Sequence, residues 1–434
     1  MSSKLLLFTT SHPLPPPVDT RRTGVVQADR RAVFDDQGTF HPLGGTFFWL
    51  LQGLQDDRER ALANLAWYAD HGFDYVRILG QVDWTSPPGP IDPQWSDYQD
   101  RLADAIDTAY DSYGLRVELT IIGKGLNLNY SSITGKVIEV IKSRSEKLID
   151  LEMVNEAEVD YPPYGHAVPV ATMQGMVRQL RAAGVPNLIA LSSGSNWEAL
   201  ATAAQACRAD LFTVHPDRGP GDNKWRQVRQ GWDAKAPGMC VSYNEPAGPN
   251  CSVADNQSPL QLALMRAVEC LSGGALWVFH TGDMVGGVND PSRGRHANIW
   301  EVPGVEAMAA AIRGADRYLP VGIENWAHAN TGWVPPNPVT ATQPDAYWPG
   351  SNHGVNKAYG ANGGQQQFVQ SICGVLDHAD MRVSTGHTIA HADAYDPITG
   401  QIVGSVENIG AGSVWQFAGR SDTMAGYMLV GQYA

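Results

Sequence analysis

The chain is short of positive charge: 31 lysines and arginines face 45 aspartates and glutamates, a net charge of −14 over 434 residues. No Lys/Arg run interrupts that balance. Phosphate backbones repel such a surface, so nucleic acid is not an expected partner. Cysteine is scarce too. Cys207, Cys240, Cys251, Cys270 and Cys373 form no CxxC pair, which removes the usual zinc and dithiol motifs. They read as buried or free thiols, and a Cys240–Cys251 bridge would need an oxidising compartment. Long apolar runs are also missing. Nothing approaches the roughly 18 residues that would span a membrane. The patch Leu5-Leu6-Leu7-Phe8, followed by Pro13 and Pro15-Pro16-Pro17, falls short of the about 7–15 apolar residues of a signal peptide. The expectation is a soluble protein without a membrane partner, secreted if a leader was removed and cytoplasmic otherwise.

Several motifs are absent as well. No GxGxxG follows the first apolar run, no P-loop occurs, and Ser192-Ser193-Gly194-Ser195 does not meet the GxSxG elbow. No HxH ends that first run. His387 and His391 have a helical metal-ligand spacing but fall where strands are expected. Neither a cofactor nor a metal is therefore expected.

What is present is ordered. Hydrophobic residues make up 43%, enough for one large core and a small second domain. Eight short apolar runs recur: Leu43–Trp49, Tyr75–Leu79, Val117–Ile122, Ile149–Val154, Leu188–Leu191, Leu211–Val214, Met239–Tyr243 and Ala275–Phe279. Near-continuous hydrophobicity suits parallel strands covered on both faces. Between them lie helical stripes such as Leu62, Leu65, Ala66 and Ala69 before Gly72, or Met173, Met176, Val177 and Leu180 before Gly184. Eight strand–helix units over residues 40–318 predict an α/β fold, a (β/α)8 TIM barrel, in preference to an open doubly wound sheet. Residues 1–39 read as an extension with a hairpin over Val25–Phe34 that turns near Asp36-Gln37-Gly38. Residues 319–367, rich in Pro, Asn, Trp and Gly, read as a connector. Residues 368–434 read as a small C-terminal β-sandwich.

In such a barrel the chemistry sits at the C-terminal strand ends. The fourth run ends Val154-Asn155-Glu156 and the seventh Tyr243-Asn244-Glu245. Two glutamates thus emerge on opposite sides of one axial pocket. About 5–5.5 Å between such carboxyls suits double displacement at a sugar, with one protonated and the other ionised. The segment Glu152-Met153-Val154-Asn155-Glu156 resembles the strand-four Asn-Glu signature of clan A glycoside hydrolases, which include family 5 cellulases and mannanases. That resemblance spans residues 40–318. It implies a carbohydrate substrate, β-mannan or β-glucan favoured, with Glu156 as acid/base, Glu245 as nucleophile and Asn155 on the sugar 2-hydroxyl. It also implies that Arg77 holds the nucleophile ionised, that His215 stands at the strand-six end, and that Trp277 floors the sugar. The motif departs from the family in continuing Ala157-Glu158 rather than with Pro, and strand six lacks His-x-Tyr.

Tyr243 is a further candidate lining residue. Thirteen tryptophans are many, and indoles stack on pyranose faces. Trp49 and Trp84, at the ends of the first two strands, are the chosen candidates, with Trp225 behind them. Glu158 and Asp160 read as loop charges near the mouth. The competing reading is a non-catalytic carbohydrate-binding or structural protein on the same barrel. An aldolase would need a Schiff-base lysine inside, and none of the eight runs contains one. Oligomeric state is not legible.

Overall fold

The computed structural model describes residues 21–29, 32–85, 87–125, 128–157, 167–193, 197–215, 239–246, 259–271, 274–290, 295–319, 327–328, 339–341, 357–363, 367–374, 380–385, 388–410, 413–418 and 425–433. Three short antiparallel strands come first: β1 (Gln27–Asp29), β2 (Ala32–Asp35) and β3 (Gly38–Phe40). Asp35 pairs with Gly38 across the two-residue turn Asp36-Gln37, and β1 extends this hairpin by pairing with β2. Val26 and Val33 pack with Tyr75, Leu211, Cys240 and Leu276, so this small sheet covers the N-terminal end of the domain that follows.

That domain is a closed barrel of parallel strands, β4 (Leu43–Thr46), β5 (Tyr75–Leu79), β6 (Arg116–Ile122), β7 (Leu148–Val154), β8 (Ile189–Ser193), β9 (Leu211–Val214), β10 (Cys240–Tyr243) and β11 (Gly274–Phe279). β11 pairs back onto β4 and closes the ring. Each strand overlaps one of the eight apolar runs. The first run shortens most, because residues 47–49 leave the ladder and lead into the helix Leu50–Asp56.

The stripes become helices for local reasons. Arg58–Asp70 begins where the Asp57 side chain accepts a hydrogen bond from the Arg60 amide, which satisfies one otherwise orphaned donor. It stops at Gly72, and Val170–Ala182 stops at Gly184, with φ of +72° and +74° that a β-carbon would disfavour. Met173, Met176, Val177 and Leu180 are buried on one face of the latter helix. Burying each such side chain contributes roughly 1.5–3 kcal/mol, and the main core runs continuously beneath these helices.

The C-terminal part is a pair of antiparallel sheets, six strands in one and three in the other. The larger includes β15 (Gln367–Gly374), β17 (Ile389–Tyr395), β18 (Ile402–Ile409) and β20 (Ala425–Tyr433), and the smaller includes β16 (Asp380–Thr385) and β19 (Val414–Ala418). Three strands from the stretch read as a connector also pair into these sheets: β12 (Ala327–His328), β13 (Val339–Ala341) and β14 (Lys357–Gly363). Met428 and Tyr395 pack with Ala263, Ala267, Ala311 and Ala315, which docks the sandwich on the helices Pro259–Leu271 and Val305–Asp316. Small alanines permit that close approach. Among the described residues no helix is long and apolar enough to cross a membrane.

Candidate active site

Residues in register on neighbouring parallel strands point the same way, and successive residues alternate between barrel interior and helix layer. Thr46 is in register with Arg77, Arg77 with Glu118, and Glu118 with Asp150. The next tier toward the mouth aligns Leu79, Thr120 and Glu152. All the polar members are fully buried. Arg77 is the hub of this interior wall. Its Nη1 donates to Glu245 Oε1 at 2.7 Å, and its Nη2 donates to Glu152 Oε2 at 2.6 Å and to Asn155 Oδ1 at 2.7 Å. Its Nε lies 3.2 Å from both Thr120 Oγ1 and Glu118 Oε1.

One guanidinium thus serves three carboxylates, with Asp150 close behind. Burial works against the charge on Arg77, but Glu152, Glu245 and Glu118 outweigh it and raise its proton affinity. For the acids the balance goes the other way. Burial pushes the Glu118 carboxyl up to about 7 against the pull of Arg77, and burial together with Glu118 and Glu152 raises Asp150 well above the ordinary range. Strands β8, β9 and β10 present the small hydroxyls Ser192, Thr213 and Ser242 to the interior, all buried.

The mouth is built where strands end. Glu156 follows β7 with φ of +44°, a region that non-glycine residues seldom occupy. Lys124 Nζ donates to the Glu156 carbonyl at 2.7 Å and braces that turn. Glu245 follows β10 in a bend, so both it and Asn244 reach inward, Asn244 Nδ2 donating to Glu118 Oε1 at 2.6 Å. His215 Nδ1 lies 3.1 Å from Glu156 Oε1 and 3.6 Å from Glu245 Oε2. One ring nitrogen of His215 and one oxygen of each glutamate all fall within 4.8 Å of one another. Burial opposes the imidazolium, but Glu245 and Glu156 outweigh it, and the His215 pKa is raised. Two carboxylates and an imidazole also have the composition of a divalent-cation site. Arg77, already bonded to Glu245, works against a second cation there. His280 Nε2 stands 3.8 Å from Glu245 Oε2, and its Nδ1 is 2.9 Å from Thr46 Oγ1.

The structure therefore gathers Glu156, Glu245, Arg77, Asn155 and His215 at one mouth. It leaves three expected residues elsewhere. Tyr243 and Trp277 are in register with each other and with Val214, and all three are buried in the barrel–helix core. The inward positions of those strands are Ser242 and Leu276. Trp277 instead meets Arg266 of the surrounding helix, 5.8 Å from the ring centroid. Trp49 is 1% exposed, edge-on to Phe47 and covered by Arg60, so no sugar reaches it. Trp84 is half-buried on the loop after β5, where the Asp83 amide bonds the Lys124 carbonyl. Glu158, Asp160, Trp225, Cys251 and His387 lie outside the described residues. His391, on β17, is bonded to Glu407 and Asp393.

Sequence reasoning missed Glu118, Glu152, Lys124 and His280. A charged residue inside an apolar parallel strand was the available signal for the first two. His280 follows from counting inward positions 276, 278 and 280 along β11.

No protein-family model matches the chain, and no curated protein matches it by sequence. Its fold is nonetheless shared by solved structures. One described as a glycoside hydrolase is 15% identical, with TM-score 0.70 over 95% of this chain and 97% of that one. A glycoside hydrolase family 5 protein from Bacteroides vulgatus is 14% identical, with TM-score 0.69 over 94% and 93%. An α-amylase from Geobacillus thermoleovorans, solved with acarbose, is 10% identical, with TM-score 0.51 over 87% and 92%. The barrel and its appended sandwich are thus similar to those of glycoside hydrolases, family 5 among them, across nearly the whole chain.

Proposed function

We propose that the protein is a retaining glycoside hydrolase acting on a β-linked polysaccharide or oligosaccharide, a β-mannan or β-glucan first. The observation that carries this reading is the pair Glu156 and Glu245, brought within 4.8 Å from strands β7 and β10 with Arg77 bonded to Glu245. That closeness supports a nucleophile rather than a base acting through an intervening water. The guanidinium beside Glu245 suits the carboxylate that must attack, and Glu156, beside His215, is the carboxyl left to give and take the proton. In the first step a Glu245 carboxylate oxygen bonds to the anomeric carbon while the glycosidic C–O bond breaks. Glu156 gives its proton to the departing oxygen. Water then attacks the anomeric carbon, Glu156 takes the water proton, and the bond to Glu245 breaks. Asn155, whose side-chain oxygen is occupied by Arg77, offers its NH2 to the sugar 2-hydroxyl.

The test is reducing-sugar release from mannans, β-glucans, xylans and celluloses, run beside Glu245→Gln. Release by the wild type, lost by several powers of ten in the variant while NMR shows retained anomeric configuration, supports the assignment. Equal activity in both proteins would overturn it. Glycan binding without turnover, unaffected by Glu245→Gln, would instead assign a sugar-binding role.

A further inference from the structure

We propose that Glu118 is a positioning residue that, through a single carboxylate oxygen, holds Arg77 and the Asn244–Glu245 bend in one geometry. The inference rests on the reading of Glu245 as nucleophile. Oε1 of Glu118 accepts from Asn244 Nδ2 at 2.6 Å and lies 3.2 Å from Arg77 Nε. Arg77 Nη1 in turn donates to Glu245 Oε1 at 2.7 Å. The contacts form a closed ring: Glu118 to Arg77, Arg77 to Glu245, one peptide link back to Asn244, and Asn244 to Glu118.

The ring spans the barrel. β11, β4 and β5 stand between β10 and β6 in the strand order, so no backbone ladder joins the two ends of this tie. The ladder of β10 ends at Tyr243, and residues 244 and 245 sit in a bend. The place of the Glu245 carboxylate is therefore set by side chains. Asn244 and Glu118 are both fully buried, where a charge-assisted hydrogen bond is strong and a missing partner is costly. Glu118 also faces Glu152 and Asp150 from β7 and His215 from the end of β9. A displacement of 1 Å at a reacting group costs about 10²-fold in rate, so a tie of this kind bears directly on turnover.

The experiment uses the full chain and the variants Glu118→Ala, Glu118→Gln and Asn244→Ala. Crystal structures supply the readout that is independent of activity. In Glu118→Ala the Asn244–Glu245 bend shifts and the Arg77–Glu245 bond lengthens, whereas Glu118→Gln, which retains an acceptor oxygen, keeps both. On whichever glycan the panel identifies, Glu118→Ala lowers kcat about 10²-fold with KM nearly unchanged, and Glu118→Gln recovers most of the loss. If Glu118→Ala fails to fold, Asn244→Ala decides, because it cuts the same tie from the other end: its 244–245 bend shifts and its Arg77–Glu245 bond lengthens in the crystal. An unmoved Glu245 in Glu118→Ala, or in Asn244→Ala where the first variant does not fold, overturns the proposal. A wild type silent on every glycan counts against the glycosidase reading alone, because the crystallographic comparison stands without it.

Discussion

Two arginines lie buried inside this barrel on adjacent strands, and their surroundings are opposites. Arg116, at the start of β6, donates to Asp35 Oδ2 at 2.7 Å and to the carbonyls of Gly24 and Glu146. Asp35 also receives Arg22, at 2.8 Å and 2.6 Å, and the Gln37 amide. Two cations there share one carboxylate. Burial alone would raise Asp35, but Arg22 and Arg116 outweigh it and hold the acid below its ordinary value. Arg77, one tier nearer the mouth, is a single cation shared by three carboxylates, and Glu118 is pushed up to about 7. The lower cage is saturated and fastens the N-terminal sheet to the barrel. The upper cage has more carboxylates than its cation can neutralise, so protons are held there. Poised protons are what acid–base chemistry needs.

The strongest way to break this comparison is to remove each cation in turn. Arg77→Met is expected to lower kcat/KM by about 10²–10³-fold, the scale for losing one preorganised electrostatic partner. Its stability should fall less, because the upper carboxyls can take up protons. Arg116→Met should cost about 3–5 kcal/mol by urea unfolding, the penalty for stranding half of a buried pair, with activity per folded molecule unchanged. The opposite pattern, inactive Arg116→Met and destabilised but active Arg77→Met, would erase the division between a structural and a chemical cage.

The cages also predict opposite responses to pH. Asp35 has a folded pKa below its usual 3.8, so its contribution is fully present above that value and is lost as pH falls through the folded pKa. Asp35→Asn should flatten the acid limb of the stability curve. Glu118, at about 7 against the usual 4.5, keeps a proton in the folded state that the unfolded chain has already released. Stability therefore falls as pH rises through that window and levels off above it. Glu118→Gln should remove a drop on the order of 1–3 kcal/mol, read from denaturant midpoints between those two pH values. Curves of the same slope for both variants would contradict the charge balance of the two cages.

Much of this architecture was legible because a strand covered on both faces must be apolar, and the eight runs stand out for that reason. Gly72 and Gly184 marked helix ends because few other residues adopt their backbone conformation. The mouth was legible at Glu156 and Glu245 because each comes two residues after an apolar run, at the end of the barrel where the strand-to-helix loops converge. Facing was harder to read. In runs such as Met239–Tyr243 and Ala275–Phe279 neither face carries a charge, so hydrophobicity does not tell inward from outward positions. Tyr243 and Trp277 looked like lining residues, yet they pack under helices. The register with Ser242 and Leu276 decides this, and register is a property of the closed ring. Glu118 stood out as a charge inside an apolar run, but its role was hidden for a related reason: its partners Arg77 and Asn244 lie far off in sequence and meet it only across the interior.

The smallest expected effect separates mouth from packing layer in the aromatic residues. Trp84 lies half-buried on the loop that bonds Lys124, whose ammonium braces the Glu156 turn, so it shares the rim governed by the upper cage. Trp277 lies on the outer face of β11 under Arg266, with no exposed surface. Trp84→Ala should raise KM by roughly 3–10-fold, the scale of one lost aromatic contact, while the unfolding midpoint barely moves. Trp277→Phe should cost about 1–3 kcal/mol of stability through the space it leaves, with kcat and KM unchanged. The pair is informative because both are tryptophans, one on the loop after β5 and the other packed under the helices. A raised KM in Trp277→Phe would mean that the outer face of β11 communicates with substrate. In that case the alternation that assigns Arg77, Glu118 and His280 to the interior would have to be reconsidered strand by strand.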